Sequence, residues 1–214
     1  MRMIALIDYG SGNIHSAERA LRAAADEAKK TPEIWVTSDP DAIRQADRIV
    51  LPGVGHFADC MSELESRAGV VEALREVVLE RSVPFLGICV GMQLLASRGL
   101  EDGVTPGLGW IAGDVAEITP GPGYAIPHMG WNSLSFDTVH PVLDGLGADP
   151  HAYFVHSYAL TPAEPGVIAA TTDYGGQITA AVARDNIFGT QFHPEKSQRV
   201  GLKLLSNFVL WDPS

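Results

Sequence analysis

The first half of the chain alternates short apolar runs with longer amphipathic segments. Short apolar runs bounded by turn residues predict buried strands. The predicted strands are MIALID at 3–8, EIWVT at 33–37, DRIVLPG at 47–53 and VPFLGI at 83–88. Segments of helix length lie between them, and this alternation is typical of a parallel sheet covered by helices on both faces. The pattern therefore predicts a doubly wound α/β fold.

The helical segments are recognised by apolar residues spaced three and four positions apart. Such stripes predict a helix at 13–28, a shorter one at 39–46, a helical region that includes Val70, Leu74, Val77 and Val78, and a closing helix at 197–211. Ser197 is placed as the N-cap of the closing helix, because a serine side chain can accept a hydrogen bond from a free N–H group of the first turn.

The second half of the chain is richer in predicted strands. From GLGWIAGDVAEI at 107–118 onward, apolar runs with turn residues between them replace most of the helical stripes. The strand candidates are AYFVHSYAL at 152–160, GVIAATT at 166–172, ITAAVARD at 178–185 and IFGTQFH at 187–193. No segment has the composition of a linker or a repeat, so we predict a single domain over residues 1–214.

Composition and charge narrow the class of partner. The 214 residues carry a net charge of -11, which argues against a nucleic-acid or anionic-membrane surface because such surfaces need clustered Lys and Arg. The chain has two cysteines, too few for a disulfide scaffold. No apolar run approaches the roughly 18 residues of a membrane span. These features favour a soluble, cytoplasmic protein with small-molecule or protein partners.

Cys89 lies in a glycine frame, Gly87-Ile88-Cys89-Val90-Gly91, at a predicted strand-to-helix junction. The spacing is that of a nucleophile elbow, in which a sharp turn lifts the nucleophile off the sheet and the glycines let strand and helix approach closely. The start of the helix supplies N–H groups and a positive dipole end. Alone, the motif fits a catalytic thiol and a buried structural cysteine equally well. Cys60, in a polar stretch without this frame, is interpreted as structural.

A general base for such a thiol is predicted in QFHPEKS at 191–197, where a histidine ends a strand and a carboxylate follows two residues later. Pro194 biases His193 toward extended backbone, which places His193 and Glu195 on the same side of the chain. The carboxylate can then orient the imidazole while the other ring nitrogen meets the thiol. A turn-like surface loop is the alternative for this motif alone. The other histidines lack metal-ligand spacing, and no metal site is expected.

Glycine-rich loops follow two other predicted strands. LPGVGHF at 51–57 offers Gly53 and Gly55 around Val54, and two glycines give a backbone amide the freedom to turn toward a developing oxyanion. A plain tight turn is the alternative. DYGSGN at 8–13 lacks the spacing of a dinucleotide-binding loop, so nucleotide binding is a poor fit.

Together these motifs resemble those of the class I, or triad-type, glutamine amidotransferases. GICVGMQLL is similar to the family's nucleophile elbow, PGVGHF to its oxyanion strand and QFHPEKS to its histidine and glutamate motif. DYGSGN, PHMGWN at 127–132 and YFVHSY at 153–158 resemble the branch of the family that serves histidine biosynthesis. The resemblance covers nearly the whole chain, and it implies a flavodoxin-like mixed sheet with helices on both faces and a β-rich C-terminal half.

The resemblance also implies a reaction, in which Cys89 attacks the side-chain amide of glutamine, His193 protonates the departing ammonia and Glu195 orients His193. The further implied contacts are Val54, Gly55 and Val90 for the oxyanion, Gly53, Gln93, Ser157 and Tyr158 for the substrate, and Asn13, Trp131, Tyr153 and Lys196 for the partner interface and ammonia path. For Trp131, the sequence alone favours a core aromatic residue.

The implied partner is a (β/α)8-barrel cyclase subunit that receives the ammonia in a heterodimer, and no cofactor is implied. Two other interpretations stay open at the level of sequence. One is a glutaminase for a different synthase or a free-standing cysteine hydrolase. The other is a regulatory module that keeps the fold without turnover, against which the intact Cys89, His193 and Glu195 argue.

Overall fold

The computed structural model describes residues 3–136 and 138–213. Its strands are β1 (Met3–Ile7), β2 (Glu33–Thr37), β3 (Arg48–Gly53), β4 (Phe85–Cys89), β5 (Arg98–Gly99), β6 (Thr105–Pro106), β7 (Gly113–Glu117), β8 (His128–Ser133), β9 (His151–His156), β10 (Tyr158–Pro162), β11 (Ile168–Asp173), β12 (Gln177–Arg184) and β13 (Ile187–Thr190). Its α-helices are α1 (Ile14–Glu27), α2 (Pro40–Gln45), α3 (Phe57–Ser66), α4 (Val70–Arg75), α5 (Val90–Gln93) and α6 (Gln198–Leu210).

The main sheet has seven strands in the order β11-β12-β13-β4-β3-β1-β2. The five strands from β13 to β2 run parallel, whereas β11 and β12 add an antiparallel edge. The central strands β1, β3 and β4 are buried along their whole length, which explains why they read as continuous apolar runs in the sequence. Helices α1 and α6 pack against each other, and α2 packs against α4.

Two smaller sheets accompany the main sheet. One has the order β10-β7-β5-β6, and the other is the antiparallel pair β8-β9. AYFVHSYAL, predicted as one strand candidate, is two strands that belong to different sheets and meet at Ser157. The sequence signal for this break is weak, because serine is compatible with strands and only the pairing partners divide the run. The break matters because residue 157 lies at the site described below.

Two further predictions need correction. The predicted N-cap, Ser197, precedes α6, but its side chain makes no capping hydrogen bond because it bonds elsewhere. The helix after Cys89 is α5, a single turn of four residues. It can therefore offer its free N–H groups at Cys89, but it is too short for the predicted helix dipole to contribute much. No helix within residues 3–136 and 138–213 combines the length and apolarity that crossing a membrane requires.

Candidate active site

The candidate site lies where the parallel strands β3 and β4 end. Gly53, the last residue of β3, is in register with Cys89, the last residue of β4. Loops at the carboxyl ends of parallel strands form the binding crevice of doubly wound sheets. A pocket of about 550 Å³ opens there, and the predicted residues that line it are Asn13, Val54, Gly55, Cys89, Val90, Gln93, Ser157, Tyr158, His193 and Lys196. Gly53, Glu195, Trp131 and Tyr153 lie outside that lining.

The elbow at Cys89 is strained and closely packed. Cys89 has φ 54° and ψ -112°, a conformation that side chains other than glycine rarely adopt, and the residue is 4% exposed. A Cβ on Gly87 would lie 2.6 Å from the carbonyl oxygen of Gly91, and a Cβ on Gly91 would lie 1.8 Å from that of Leu51. Both glycines are therefore required by close backbone approach, and the turn presents the thiol to the pocket.

The imidazole of His193 is held by Glu195. Nδ1 of His193 lies 2.7 Å from Oε1 of Glu195, and their side chains are 2% and 3% exposed. The predicted extended backbone holds at His193, with φ -98° and ψ 99°, but Pro194–Lys196 form a 3₁₀ turn. The turn, rather than an extended chain, brings the carboxylate back to the ring. Since Nδ1 is bonded to Glu195, Nε2 is the nitrogen left for Cys89.

Burial and charge act in opposite directions on His193. Burial lowers the pKa of the imidazole, but hydrogen bonding and charge interaction with Cys89 and Glu195 outweigh it and raise the pKa to about 9. Nε2 makes no well-aligned hydrogen bond to any described residue. Such bonds in empty active sites are often long and tighten only with substrate. The imidazole of His193 therefore keeps its proton at neutral pH and can act as a proton donor beside Cys89.

Ser197 fixes the backbone under His193. Its hydroxyl donates to the His193 carbonyl at 2.7 Å and accepts the Tyr153 N–H at 3.0 Å, while the His193 N–H donates to the Tyr153 carbonyl at 3.0 Å. Tyr153, placed by sequence at the partner interface, therefore also anchors the base through its main chain. The capping role predicted for Ser197 is lost because these partners occupy its hydroxyl.

The loop Gly53–Gly55 lies against the elbow. A Cβ on Gly53 would lie 2.8 Å from the Gly91 nitrogen, so glycine is needed here for close approach. Gly55 has φ +105° and open space around it, and the Val54 side chain is 40% exposed. The Val54 carbonyl accepts a hydrogen bond from the Cys60 thiol at 3.4 Å. Cys60 is thus buried below the loop, in agreement with its structural interpretation.

Gln93 lines the pocket and is hydrogen-bonded to Gln191, which is fully buried. Nε2 of Gln93 donates to the Tyr158 carbonyl at 2.9 Å and to Oε1 of Gln191 at 3.0 Å. Nε2 of Gln191 lies 3.7 Å from the Cys89 sulfur, within the longer range of hydrogen bonds to sulfur. Gln191 is a site residue that neither the motifs nor the resemblance predicted; its only sequence signal is a polar residue among mostly apolar neighbours, as at Gln93.

The four residues predicted at the partner interface are divided between the pocket rim and the adjacent surface. Asn13 and Lys196 are exposed and line the pocket. Trp131 and Tyr153 are paired across β8 and β9, with ring centroids 6.1 Å apart, and the Lys196 ammonium lies 5.9 Å from the Tyr153 ring centroid. Trp131 is 47% exposed, so the alternative of a core aromatic residue is wrong.

The site has the parts of a cysteine acyl-transfer centre, namely an elbow thiol, an imidazole oriented by a carboxylate, and a neighbouring glycine loop. No group of three or more potential metal ligands occurs in the described part of the chain. A thiol, an oriented imidazole and a glycine loop together are suited to acyl transfer through a covalent thioester.

Comparison with known proteins supports this class. The family model "Glutamine amidotransferase class-I" matches residues 5–211. Imidazole glycerol phosphate synthase subunit HisH of Mesorhizobium japonicum is 55% identical, covering 98% of this chain and 99% of its own. The HisH subunit of Caulobacter vibrioides is 54% identical over 100% of both chains. The chain therefore belongs to the class I glutamine amidotransferase family.

Solved structures agree on the fold. A glutamine amidotransferase crystal structure superposes with a TM-score of 0.69 at 17% identity, covering 96% of this chain and 98% of that one. A second, from Thermotoga maritima, has a TM-score of 0.59 at 15% identity and covers 93% of this chain and 78% of that one. The predicted α/β class I glutaminase fold is thus confirmed.

Proposed function

We propose that this chain is the glutaminase subunit of imidazole glycerol phosphate synthase and that residues 1–214 form one amidotransferase domain. It hydrolyses glutamine to glutamate and ammonia and passes the ammonia to a cyclase subunit. The observation that carries the proposal is that His193, held by the buried Glu195, lines the same pocket as the strained Cys89. The full-length likeness to HisH subunits supports this assignment within the family.

The first half-reaction forms a thioester. With its proton held on His193, the Cys89 sulfur attacks the side-chain carbonyl carbon of glutamine, and the carbonyl oxygen becomes an oxyanion. As the tetrahedral intermediate collapses, His193 gives its proton to the departing nitrogen, and ammonia leaves. The carbon–sulfur bond remains as a γ-glutamyl thioester, and Glu195 keeps the imidazole oriented for this transfer.

The second half-reaction regenerates the thiol. His193, now neutral, takes a proton from water, which attacks the thioester carbonyl. Collapse of the second tetrahedral intermediate breaks the carbon–sulfur bond and releases glutamate. The backbone N–H groups of Val90 and of the Val54–Gly55 loop are the donors for the oxyanion in both steps.

The glutamine substrate is held at the pocket floor and wall. Gln93 is 4% exposed and its amide nitrogen donates to both Tyr158 and Gln191, so its role includes shaping the wall as well as facing substrate. Ser157 and Tyr158 present their backbone at the break between β9 and β10, where the chain leaves one sheet for another. Gly53 contributes by letting the elbow and the loop approach.

The cyclase partner is a (β/α)8-barrel subunit that docks around the pocket mouth and forms a heterodimer. Large apolar side chains are exposed there on β8, with Met129 61% and Trp131 47% exposed. Exposed apolar groups beside a pocket are typical of an interaction surface. Ammonia that crosses this interface escapes protonation by bulk water and enters the synthesis of imidazole glycerol phosphate and aminoimidazole carboxamide ribotide. The compartment is the cytoplasm.

The proposal is tested by a glutaminase assay of the purified chain, alone and with the cyclase plus its nucleotide ligand. We expect slow glutamate release from the chain alone and a marked acceleration in the loaded complex. Full activity without a partner would identify a free-standing hydrolase and contradict the proposal.

The nucleophile is tested in the same complex with Cys89→Ala. Glutamate release falls to background, whereas synthesis from added ammonium salts continues, because the ammonia-consuming site lies on the partner. The ammonium reaction is the internal control for folding and docking. Normal glutamate release by this variant would overturn the assignment of Cys89.

A further inference from the structure

Two buried histidines have no part in the proposed reaction steps: His156, which lines the pocket, and His128, which contacts His156. His128 is 2% exposed and His156 is 6% exposed. They face each other across the β8–β9 pair, and Nδ1 of His128 lies 3.0 Å from Nε2 of His156. Buried polar side chains are retained at a cost unless they are hydrogen-bonded, so the partners of both rings decide what they do.

The hydrogen bonds of these histidines form a chain with one possible direction. Nδ1 of His156 lies 3.0 Å from the Tyr158 carbonyl, which can only accept, so Nδ1 carries the proton. Nε2 of His156 is then an acceptor, and Nδ1 of His128 must donate to it. Nε2 of His128 in turn accepts from Nδ2 of Asn132 at 3.3 Å.

At the other end of this hydrogen-bond chain, Asn132 determines the direction of the hydrogen bonds without reference to Tyr158. Its Oδ1 accepts the Ser133 N–H at 2.9 Å, and its Nδ2 donates to the Asp173 carbonyl at 2.8 Å. Both contacts require the same amide orientation, which makes Nδ2 the donor to His128. The chain is thus determined from both ends, and both imidazoles are neutral with the proton on Nδ1.

The environment of the rings agrees with this assignment. His128 is stacked between Phe154, at a centroid distance of 4.6 Å, and Tyr174, at 3.9 Å. Burial lowers the pKa of both histidines to about 4, and for His156 the neighbouring His128 and His193 add to the lowering. No carboxylate is among the causes of either shift, and both rings stay neutral at physiological pH.

The hydrogen-bond chain ends at the Tyr158 carbonyl, which also accepts a hydrogen bond from Gln93. The Tyr158 oxygen accepts from His156 on one side and from Gln93 on the other, and Gln93 continues through Gln191 to the Cys89 sulfur. Two donors occupy both lone pairs of this oxygen and fix the orientation of its peptide group. A continuous set of hydrogen bonds therefore runs from the nucleophile to Asn132, beside the exposed Trp131.

We propose that His128 and His156 are positioning residues for glutamine hydrolysis, which fix the Tyr158 carbonyl and thereby the substrate-binding backbone at 157–158 and connect it to the exposed β8–β9 hairpin. The inference rests on the proposed glutaminase function. The two rings act through the Tyr158 carbonyl, because both ring nitrogens of His156 are already occupied by His128 and by that carbonyl.

The kinetic test compares His128→Leu with His128→Asn in the complex with the cyclase. Leucine removes the donor to His156, whereas the asparagine amide can occupy the place of Nδ1–H. We expect His128→Leu to raise KM for glutamine about tenfold, the effect of one lost buried hydrogen bond of about 1.4 kcal/mol, with a smaller change in kcat. In His128→Asn, KM for glutamine is expected to stay close to the wild-type value. Ammonium-dependent synthesis is expected to be unchanged in both variants.

A wild-type KM in His128→Leu, or an equal defect in both variants, would overturn the proposal and leave a packing role. A second measurement needs no variant and no activity. Nitrogen NMR of the ¹⁵N-histidine-labelled chain is expected to show both rings neutral and protonated at Nδ1 at pH 7, and protonation at Nε2 would overturn the proposal. Absence of glutaminase activity in the wild-type complex would instead contradict the proposed function, and the NMR result would still decide the hydrogen-bond chain.

Discussion

The two sides of the pocket differ in how tightly the fold holds them. On the nucleophile side, Gly87 and Gly91 have no room for a Cβ, and Cys89 and its base are nearly inaccessible to solvent. On the opposite side, Val54 is 40% exposed and a Cβ on Gly55 would meet nothing within 4 Å. The fold therefore locks the thiol and the imidazole and leaves the Val54–Gly55 loop, the proposed oxyanion donor, room to move.

This difference indicates where activity can be controlled. A strained nucleophile turn persists only when the surrounding packing determines it, as it does at the elbow. A loop with free space and a positive-φ glycine can change its peptide orientation at a small cost in free energy, so a bound partner can shift its population. We therefore expect variants of the locked side to affect folding or chemistry severely, and variants of the loop to act more mildly.

The largest effect is expected for Gly91→Ala, on the locked side. The new Cβ would lie 1.8 Å from the Leu51 carbonyl oxygen, a backbone atom that cannot move without shifting β3. We expect the free energy of unfolding to fall by about 3 kcal/mol or more, measured by chemical denaturation. Gly166→Ala is the matched control, because nothing lies within 4 Å of its Cβ, and its change should stay within about 0.5 kcal/mol. Equal stability of the two variants would show that the elbow is not locked.

The next effect concerns Glu195→Gln, which keeps the size of the side chain and removes its charge. Without the carboxylate the imidazole loses its orienting partner, and we expect kcat for glutamine hydrolysis to fall about 10²-fold or more. Glutamate release in the cyclase complex measures this, with ammonium-dependent synthesis as the control. An unchanged kcat would remove Glu195 from the site.

The pH dependence of glutaminase activity provides a second test of Glu195. His193 must hold a proton to protonate the leaving nitrogen, and its pKa is raised to about 9, so activity should fall as the pH rises through about 9. Glu195→Gln removes one of the causes of the raised pKa and should move this alkaline limb to lower pH. Protonation of His193 also stabilises the folded protein. This stabilisation is complete below the ordinary histidine pKa of 6.5 and is lost as the pH rises through about 9. An alkaline limb that does not move in the variant would contradict the coupling.

A smaller effect is expected for Gly55→Ala, on the loop side. The Cβ has space, but φ +105° is unfavourable for alanine, so the loop is expected to shift its backbone at a cost of about 1 kcal/mol. Gly147→Ala is a close control, because Gly147 has φ +104° and equally open space. Both variants should lose similar stability by thermal denaturation, whereas only Gly55→Ala should change glutaminase activity. Identical activity in both would separate the loop from catalysis.

The smallest effect concerns the thiol beneath the loop. Burial raises the pKa of the Cys60 thiol, and the residue is 1% exposed. Cys89 faces the pocket, so a thiol-directed reagent at pH 7 should modify Cys89 and leave Cys60 intact, as measured by peptide mass spectrometry. The Cys89→Ala chain should resist the reagent until it is denatured. Rapid labelling of native Cys60 would show that the loop opens much further than the packing indicates.

Much of the frame and part of the site could be predicted from local patterns. Glycine spacing around Cys89 and the short segment from His193 to Glu195 are local features, and the structure places both at one pocket. Ser197 shows the limit, since its sequence context suits an N-cap but Tyr153 and the His193 carbonyl take its hydroxyl. Competing partners from distant elements override local capping preferences, and sequence spacing carries no record of them.

Gln191 and the two histidines of the hydrogen-bond chain show the same limit more strongly. His128 and His156 lie in strands that carry other polar residues, and Gln191 follows the end of β13, so none of the three has a sequence signal strong enough to name a role. Their partners lie far along the chain, for example Gln191 with Cys89 and Gln93. Trp131 illustrates the reverse error. A large aromatic residue in a strand suits a core, but Trp131 pairs with Tyr153 on the less buried face of the β8–β9 pair and is exposed.

By itself, the sequence determined the strand and helix order of the α/β frame and the two motifs that carry the thiol and its base, because these depend on short-range periodicity and on backbone freedom at glycine. The tertiary structure decided which strands pair, where residues 152–160 divide between two sheets, and how Cys89 is joined through Tyr158 to His128. Hydrogen bonds between elements distant in sequence set these features, and their geometry exists only once the sheets have packed.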